Sequence, residues 1–125
     1  MVNLLEEDDY YLFNHTTTGI YILDISEKVV SVNDVFKELF GWNSVEVIGQ
    51  RAKFLPHVPL ELRFQFNRYL KQIKKNNLPI QFRTIRRRKS GLEIKVDVKL
   101  TPLRMKDFTT GLICEYNFHS VYDWK

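Results

Sequence analysis

From Leu92 to Leu100 the chain reads Leu-Glu-Ile-Lys-Val-Asp-Val-Lys-Leu, with apolar and charged residues in unbroken alternation. Successive side chains of a β-strand point to opposite faces, so this segment has one face for a core and one for water. Such a strand needs a sheet whose apolar face is covered by a second layer. Neighbouring segments supply the partners. Ile80-Gln81-Phe82 alternates before the run, and Gly111 through Phe118 places Leu112, Cys114, Tyr116 and Phe118 on one side of a further strand. The basic run Arg86-Arg87-Arg88-Lys89, followed by Ser90-Gly91, is expected as a solvated hairpin tip. Pro102 is expected to end the alternating strand, and Asp107 to Thr110 to form the next turn.

The first half supplies another hairpin and the covering layer. Ile20 to Leu23 is a nearly continuous apolar strand, Asp24 to Lys28 a polar turn, and Val29, Val30 and Val32 are β-branched strand formers. Asn33 then suits a helix N-cap, because its side-chain carbonyl can accept from a free amide of the first turn. Val35, Phe36, Leu39 and Phe40 share one face of the helix that follows, and Gly41 can end it in the left-handed conformation. Ser44 is expected to cap a second short helix that stops at Gly49. From Leu60 to Asn76, apolar residues at Leu62, Phe66, Tyr69, Leu70 and Ile73 repeat at helical spacing and predict the longest helix, while Phe64 lies off that stripe and needs a partner elsewhere. Residues 4–13 are expected to form a short N-terminal helix, broken by His15 to Gly19. The order is two strands, several helices and three strands: an α+β chain with helices inserted into an antiparallel sheet.

Charge and cysteine content narrow the functions. Residues 1–50 hold 2 basic and 9 acidic side chains, residues 51–125 hold 17 and 6. No helical segment is basic on one face with readable polar tips, so nucleic acid is not an expected partner. No apolar run reaches the roughly 20 residues a membrane helix needs, and Glu6-Glu7-Asp8-Asp9 stand where a secretory signal would be basic. The expected location is the cytoplasm, with no membrane contact. Cys114 is the sole cysteine and is expected to be a buried, inert thiol. His15, His57 and His119 lack metal-ligand spacing and read as surface or hydrogen-bonded structural residues. No nucleophile with a base, phosphate loop or carboxylate pair stands out, so no enzymatic activity is expected.

Five segments in sequence carry a family resemblance: Ile-Leu-Asp-Ile-Ser-Glu-Lys-Val-Val-Ser-Val-Asn (22–33), Asn-Asp-Val-Phe-Lys-Glu-Leu-Phe-Gly-Trp (33–42), Ser-Val-Glu-Val-Ile-Gly-Gln (44–50), the long helix, and the hairpin from Arg86 to Leu103. In this order they resemble a PAS domain over nearly all of residues 19–118. The resemblance implies a PAS fold: a five-stranded antiparallel sheet with inserted helices on one face, enclosing a pocket. The domain is expected over 19–119, with an N-terminal flanking helix or cap at 1–18 and a tail at 120–125. The family's acidic-aliphatic-threonine ending is absent; Glu115-Tyr116-Asn117-Phe118 stands there.

Family cofactors can be weighed residue by residue. Leu39 to Trp42 and Val47 to Gln50 look like the wording of haem-binding oxygen sensors, but the position matching the proximal histidine is Phe66, which argues against haem. Gly49 to Leu55 resembles the light-oxygen-voltage motif, yet Ala52 stands where the reactive cysteine would be, which argues against a covalent flavin adduct. A photoactive-yellow-protein chromophore would need a thiol near Pro56 to Leu60, and none is there.

Phe36, Phe40, Trp42, Phe54, Phe66, Tyr69 and Phe82 are the aromatic residues expected to face the space between helices and sheet. They either fill a core or line a ligand pocket. Two readings follow. One is a sensory domain of a signalling protein, such as a sensor histidine kinase of a two-component system, that binds a small molecule and signals to an effector domain or partner through its dimer. The other is a ligand-free interaction module. In both, Leu4, Leu5, Tyr11, Leu12 and Phe13 are too apolar to leave in water and are expected to build a homodimer interface.

Overall fold

The computed structural model describes Phe13, residues 16–105 and residues 108–122, in which five strands form one antiparallel sheet. β1 (Gly19–Asp24) and β2 (Val29–Val32) form the first hairpin; β3 (Ile80–Arg87), β4 (Glu93–Met105) and β5 (Phe108–Val121) follow the helices. The spatial order β2-β1-β5-β4-β3 places β5, the last strand in sequence, at the centre. Between the two groups lie α1 (Asp34–Phe40), α2 (Ser44–Val47), 3₁₀ turns at Ala52–Phe54 and Leu60–Leu62, and α3 (Arg63–Asn76). Among the described residues no helix is long and apolar enough to cross a membrane.

The alternation places the core. Ile94, Val96, Val98 and Leu100 of β4 turn inward with Leu112, Cys114 and Tyr116 of β5 and Tyr21 and Leu23 of β1. They meet Phe36 and Phe40 of α1 and Phe66, Leu70 and Ile73 of α3. Each large apolar side chain so buried contributes about 1.5–3 kcal/mol. On the other face Ile20 and Ile22 pack with Phe13, Val30, Leu103 and Ile113.

Several sequence expectations need correction. Pro102 does not end β4, which runs on to Met105. The last β3–β4 pair is Ile80 with Leu100, so beyond it no described strand pairs with the β3-facing edge of β4 and a residue without an N–H is tolerated. β5 continues past Phe118 because Ser120 and Val121 pair with Lys95 and Ile94, so the expected tail from 120 begins two residues later. Leu92 lies in the hairpin tip and is exposed. The cap of α2 is Asn43, whose backbone N–H donates to Glu46 Oε1, and not Ser44. The long helix starts at Arg63, preceded by a 3₁₀ turn. The N-terminal helix expected over 4–13 lies outside the described residues except at Phe13, as do Leu4, Leu5, Tyr11 and Leu12.

Asn33 caps α1 as expected and does more. Its Oδ1 accepts from Phe36 N at 2.9 Å and from Ile20 N at 2.8 Å, while its Nδ2 donates to the carbonyls of Phe13 (3.0 Å) and Thr18 (2.9 Å). The residue is buried, so none of these groups can fall back on water. Replacing it, Asn33→Ala, is expected to cost about 3–5 kcal/mol in urea unfolding. Asn33→Asp at neutral pH is expected to cost a similar amount, because a carboxylate keeps the two acceptor bonds but faces the Phe13 and Thr18 carbonyls without a donor. An Asp variant of near wild-type stability would show that only the helix cap matters.

Candidate functional site

The inner face of the sheet carries a polar cluster inside the aromatic core. Tyr21 and Tyr116 stand on the adjacent strands β1 and β5, where Tyr21 pairs with Cys114 and Gly19 with Tyr116, so both side chains point inward. Their hydroxyls lie 3.1 Å apart. Period-two alternation along β3 also turns Thr84 and Arg86 inward. His57 enters from the loop between the 3₁₀ turns, its carbonyl accepting from Arg87 N at 2.7 Å on the outer edge of β3. Three groups thus meet at the Tyr116 hydroxyl: Tyr21, His57 Nε2 at 3.0 Å, and Arg86 Nε, which donates at 3.4 Å.

Aromatic rings enclose these groups. The His57 ring stands edge-on to Phe36 (5.2 Å, 88°) and Tyr116 (5.3 Å, 87°) and 4.9 Å from Phe40. The Arg86 guanidinium lies 4.7 Å from the centre of the Phe66 ring, a cation–π contact in a desolvated place. Nη1 of Arg86 donates to Ile85 O (2.9 Å) and Thr84 Oγ1 (3.4 Å), and Thr84 Oγ1 donates in turn to Gln65 Oε1 on α3 (3.1 Å). His57 and Arg86 are fully buried, and His57 Nδ1 and Arg86 Nη2 have no hydrogen-bond partner among the described residues.

Electrostatically the cluster is one-sided. Among the described residues no carboxylate forms an ion pair with Arg86. Its acidic neighbours stay protonated: burial pushes the Cys114 thiol up to about 12 and drives the Tyr116 and Tyr21 hydroxyls well above their usual range. Burial, with the Arg86 charge adding to it, holds His57 well below the ordinary imidazole range, so it is neutral at pH 7. An arginine cannot shed its proton to escape, and a buried ion without a counter-ion costs on the order of several kcal/mol.

The expected aromatic residues divide. Phe36, Phe40 and Phe66 are fully buried around the cluster. Trp42 is half-buried against the core, with Lys89 Nζ 5.5 Å from its ring centre. Tyr69 and Phe82 stack on each other at 4.1 Å, partly buried at the edge of the core. Phe54 does not face the interior: it closes the Ala52–Phe54 turn, is 53% exposed, and has Lys53 Nζ 5.2 Å and Arg63 Cζ 5.7 Å from its ring centre, while Ala52 takes the inward position. Phe64 is 73% exposed on α3. Phe13 packs on the outer sheet face, away from the cluster. Cys114 is a free, buried thiol. Among the described residues no group of His, Cys, Asp and Glu has the makings of a metal site.

The basic run is not a solvated tip. Arg86 is interior, Arg87 pairs with Glu93 at 3.2 Å, and Arg88 Nε donates to Leu39 O at 2.9 Å. Lys89 donates its backbone N–H to Phe40 O and pairs with Glu46. Arg88 and Lys89 thereby satisfy the C-terminal carbonyls of α1 and complement its dipole. The sequence reading missed Arg86 and His57. The signal for Arg86 is the alternation from Phe82 through Thr84 to Arg86, four residues beyond the Ile80-Gln81-Phe82 segment; His57 has no local signal.

A family model described as PAS domain matches residues 17–115. Among solved structures, the chain is similar to the PAS domain of a protein from Colwellia psychrerythraea, at a TM-score of 0.79 and 15% identity, covering 91% of this chain and 96% of that one. It is also similar to the LOV protein of Rhodobacter sphaeroides (TM-score 0.75, 14% identity, 91% and 68% covered). A third similar structure is the PAS domain of the fruit-fly ELK potassium channel (TM-score 0.73, 13% identity, 91% and 96% covered). No curated protein matches the chain in sequence.

His57 makes stability depend on pH. Below the ordinary histidine pKa of about 6.5 the unfolded chain takes up a proton that the folded one refuses. The contribution is therefore complete above pH 6.5 and is lost as the pH falls below it, by at most about 1.4 kcal/mol per unit. Urea unfolding between pH 7.5 and 5 is expected to show this fall in the wild type and a flatter profile in His57→Gln. Parallel profiles would show that His57 titrates normally.

Proposed function

The chain belongs to the PAS domain family, and on that basis we propose that it is the sensory domain of a cytoplasmic signal-transduction protein, such as a sensor histidine kinase, that binds a small molecule between its helices and sheet. One observation carries this reading. The interior holds a cluster of Tyr21, Tyr116, His57 and Arg86 in which Nδ1 of His57 and Nη2 of Arg86 have no partner among the described residues. A core built for packing alone is apolar, and buried polar atoms without partners destabilise it by about 1–3 kcal/mol each. Polar groups converging within an apolar enclosure are the common composition of a ligand site. The free Cys114 fits a reducing compartment.

The cluster is also placed for signalling. Tyr116 stands on the central strand, and the other face of that sheet carries Ile20, Ile22, Ile113 and Phe13. A change in register or twist driven from the inner face reaches this outer face directly. We assign the outer face and the N-terminal segment to a homodimer that passes the signal to an effector domain or partner protein.

Native mass spectrometry of the purified protein, before and after denaturation, is expected to reveal a co-purified small molecule or a mass adduct from a metabolite panel. Absence of any adduct, with no thermal shift across the panel, would favour the interaction module instead. In solution a dimer mass is expected at tens of micromolar, reduced to monomer when Leu4 and Leu5 are both made polar; a wild-type monomer would sink the dimer assignment.

A further inference from the structure

The ligand's chemistry follows from Arg86, given the sensory reading above. Its guanidinium is fully buried, permanently charged and without a carboxylate partner among the described residues. Nε and Nη1 are engaged by Tyr116, Ile85 and Thr84, so the hydrogens of Nη2 are the donors left over. Nearby groups that could carry a negative charge, Tyr21, Cys114 and Tyr116, are neutral hydroxyls and a thiol. What the site lacks is an anionic acceptor. The remaining surroundings are Phe36, Phe40 and Phe66, which suit an apolar body and not a hydrated inorganic ion.

We infer that the interior site takes a small organic carboxylate with an apolar or aromatic body, its carboxylate accepting from Arg86 Nη2. A carboxylate on a guanidinium is a charge-assisted pair, about twice as strong as a neutral hydrogen bond, and in this place it also removes the penalty of an uncompensated charge. The route in is assigned to the α3 side of the site, where Gln65 accepts from Thr84 of β3. A groove of about 460 Å³ lined by Glu61, Gln65, Arg68, Tyr69 and Gln72 runs along α3. From its lining a hydrogen-bonded path leads from Gln65, which is exposed, through Thr84 to Arg86. Phe66, the next residue on α3, covers the guanidinium face, and its displacement makes the room. Occupancy therefore exchanges the Phe66 contact for the ligand and shifts α3 against β3, the mechanical step a sensor requires.

The test pairs acids with their neutral isosteres. Benzoate, phenylacetate and hexanoate are titrated against the wild-type protein beside benzamide, phenylacetamide and hexanamide, with sodium phosphate as an ionic control, reading thermal shift and calorimetry. At least one acid is expected to bind tenfold or more tightly than its amide, with no response to phosphate. Arg86→Met, close in volume but uncharged, is expected to lose that preference. Equal binding of acid and amide by the wild type would overturn the inference, whether or not the variant folds, and so would a folded Arg86→Met that keeps the preference. A neutral co-purified molecule in native mass spectrometry would overturn the carboxylate while leaving the sensory reading intact. Silence toward every compound, with no co-purified mass, would remove both.

Discussion

Both faces of the sheet are closed through one buried amide. Asn33 sits where β2 leaves the sheet, and its carbonyl starts α1 while holding the backbone of β1. Its NH₂ group holds the carbonyls of Phe13 and Thr18. The inner layer and the outer cover are thereby tied to the same side chain. An amide offers two acceptor and two donor bonds on so short a side chain, and Asn33 uses both kinds. With α1 fixed this way, Phe36 and Phe40 come to lie over Tyr21, Tyr116 and His57.

A second tie works from the far end of α1. Its terminal carbonyls are taken by Arg88 and by the Lys89 backbone, so the β3–β4 hairpin is locked to the helix. Gly41 ends the helix in the left-handed conformation, φ +81°, which side chains rarely adopt; space is not the constraint, since a Cβ there would make only an ordinary contact with Lys89 Cβ at 3.4 Å. The same lock fixes the register that turns Arg86 inward. The free energy comes from the apolar inner face, and the polar cluster draws on that surplus.

The fold was legible because its signals are local. Alternation in β4, the apolar stripe of α3, the capping Asn33 and the stop at Gly41 each depend on neighbours a few residues away, and each appears where expected. The failures have the same origin. Pro102 is a strand breaker only where a partner needs its missing N–H, and which edge is free depends on where β3 begins, over 20 residues earlier. Phe54 and Ala52 sit two residues apart on one 3₁₀ turn, and sequence could not say which of them the turn would present to the core.

The site was legible only in its apolar part. Phe36, Phe40 and Phe66 follow from helical periodicity, whereas His57 is a single histidine in a loop and Arg86 the first residue of a basic run. Their meeting with Tyr21 and Tyr116 joins four chain segments, the two tyrosines 95 residues apart. Sequence by itself determined the elements, their order and the family, because periodicity and capping are short-range properties of the backbone. Only the tertiary structure decided that a charged guanidinium would be sealed among aromatic rings with no counter-ion among the described residues. That outcome depends on strand register and loop placement, which bring distant residues together; local alternation can turn Arg86 inward but cannot say what it will meet there.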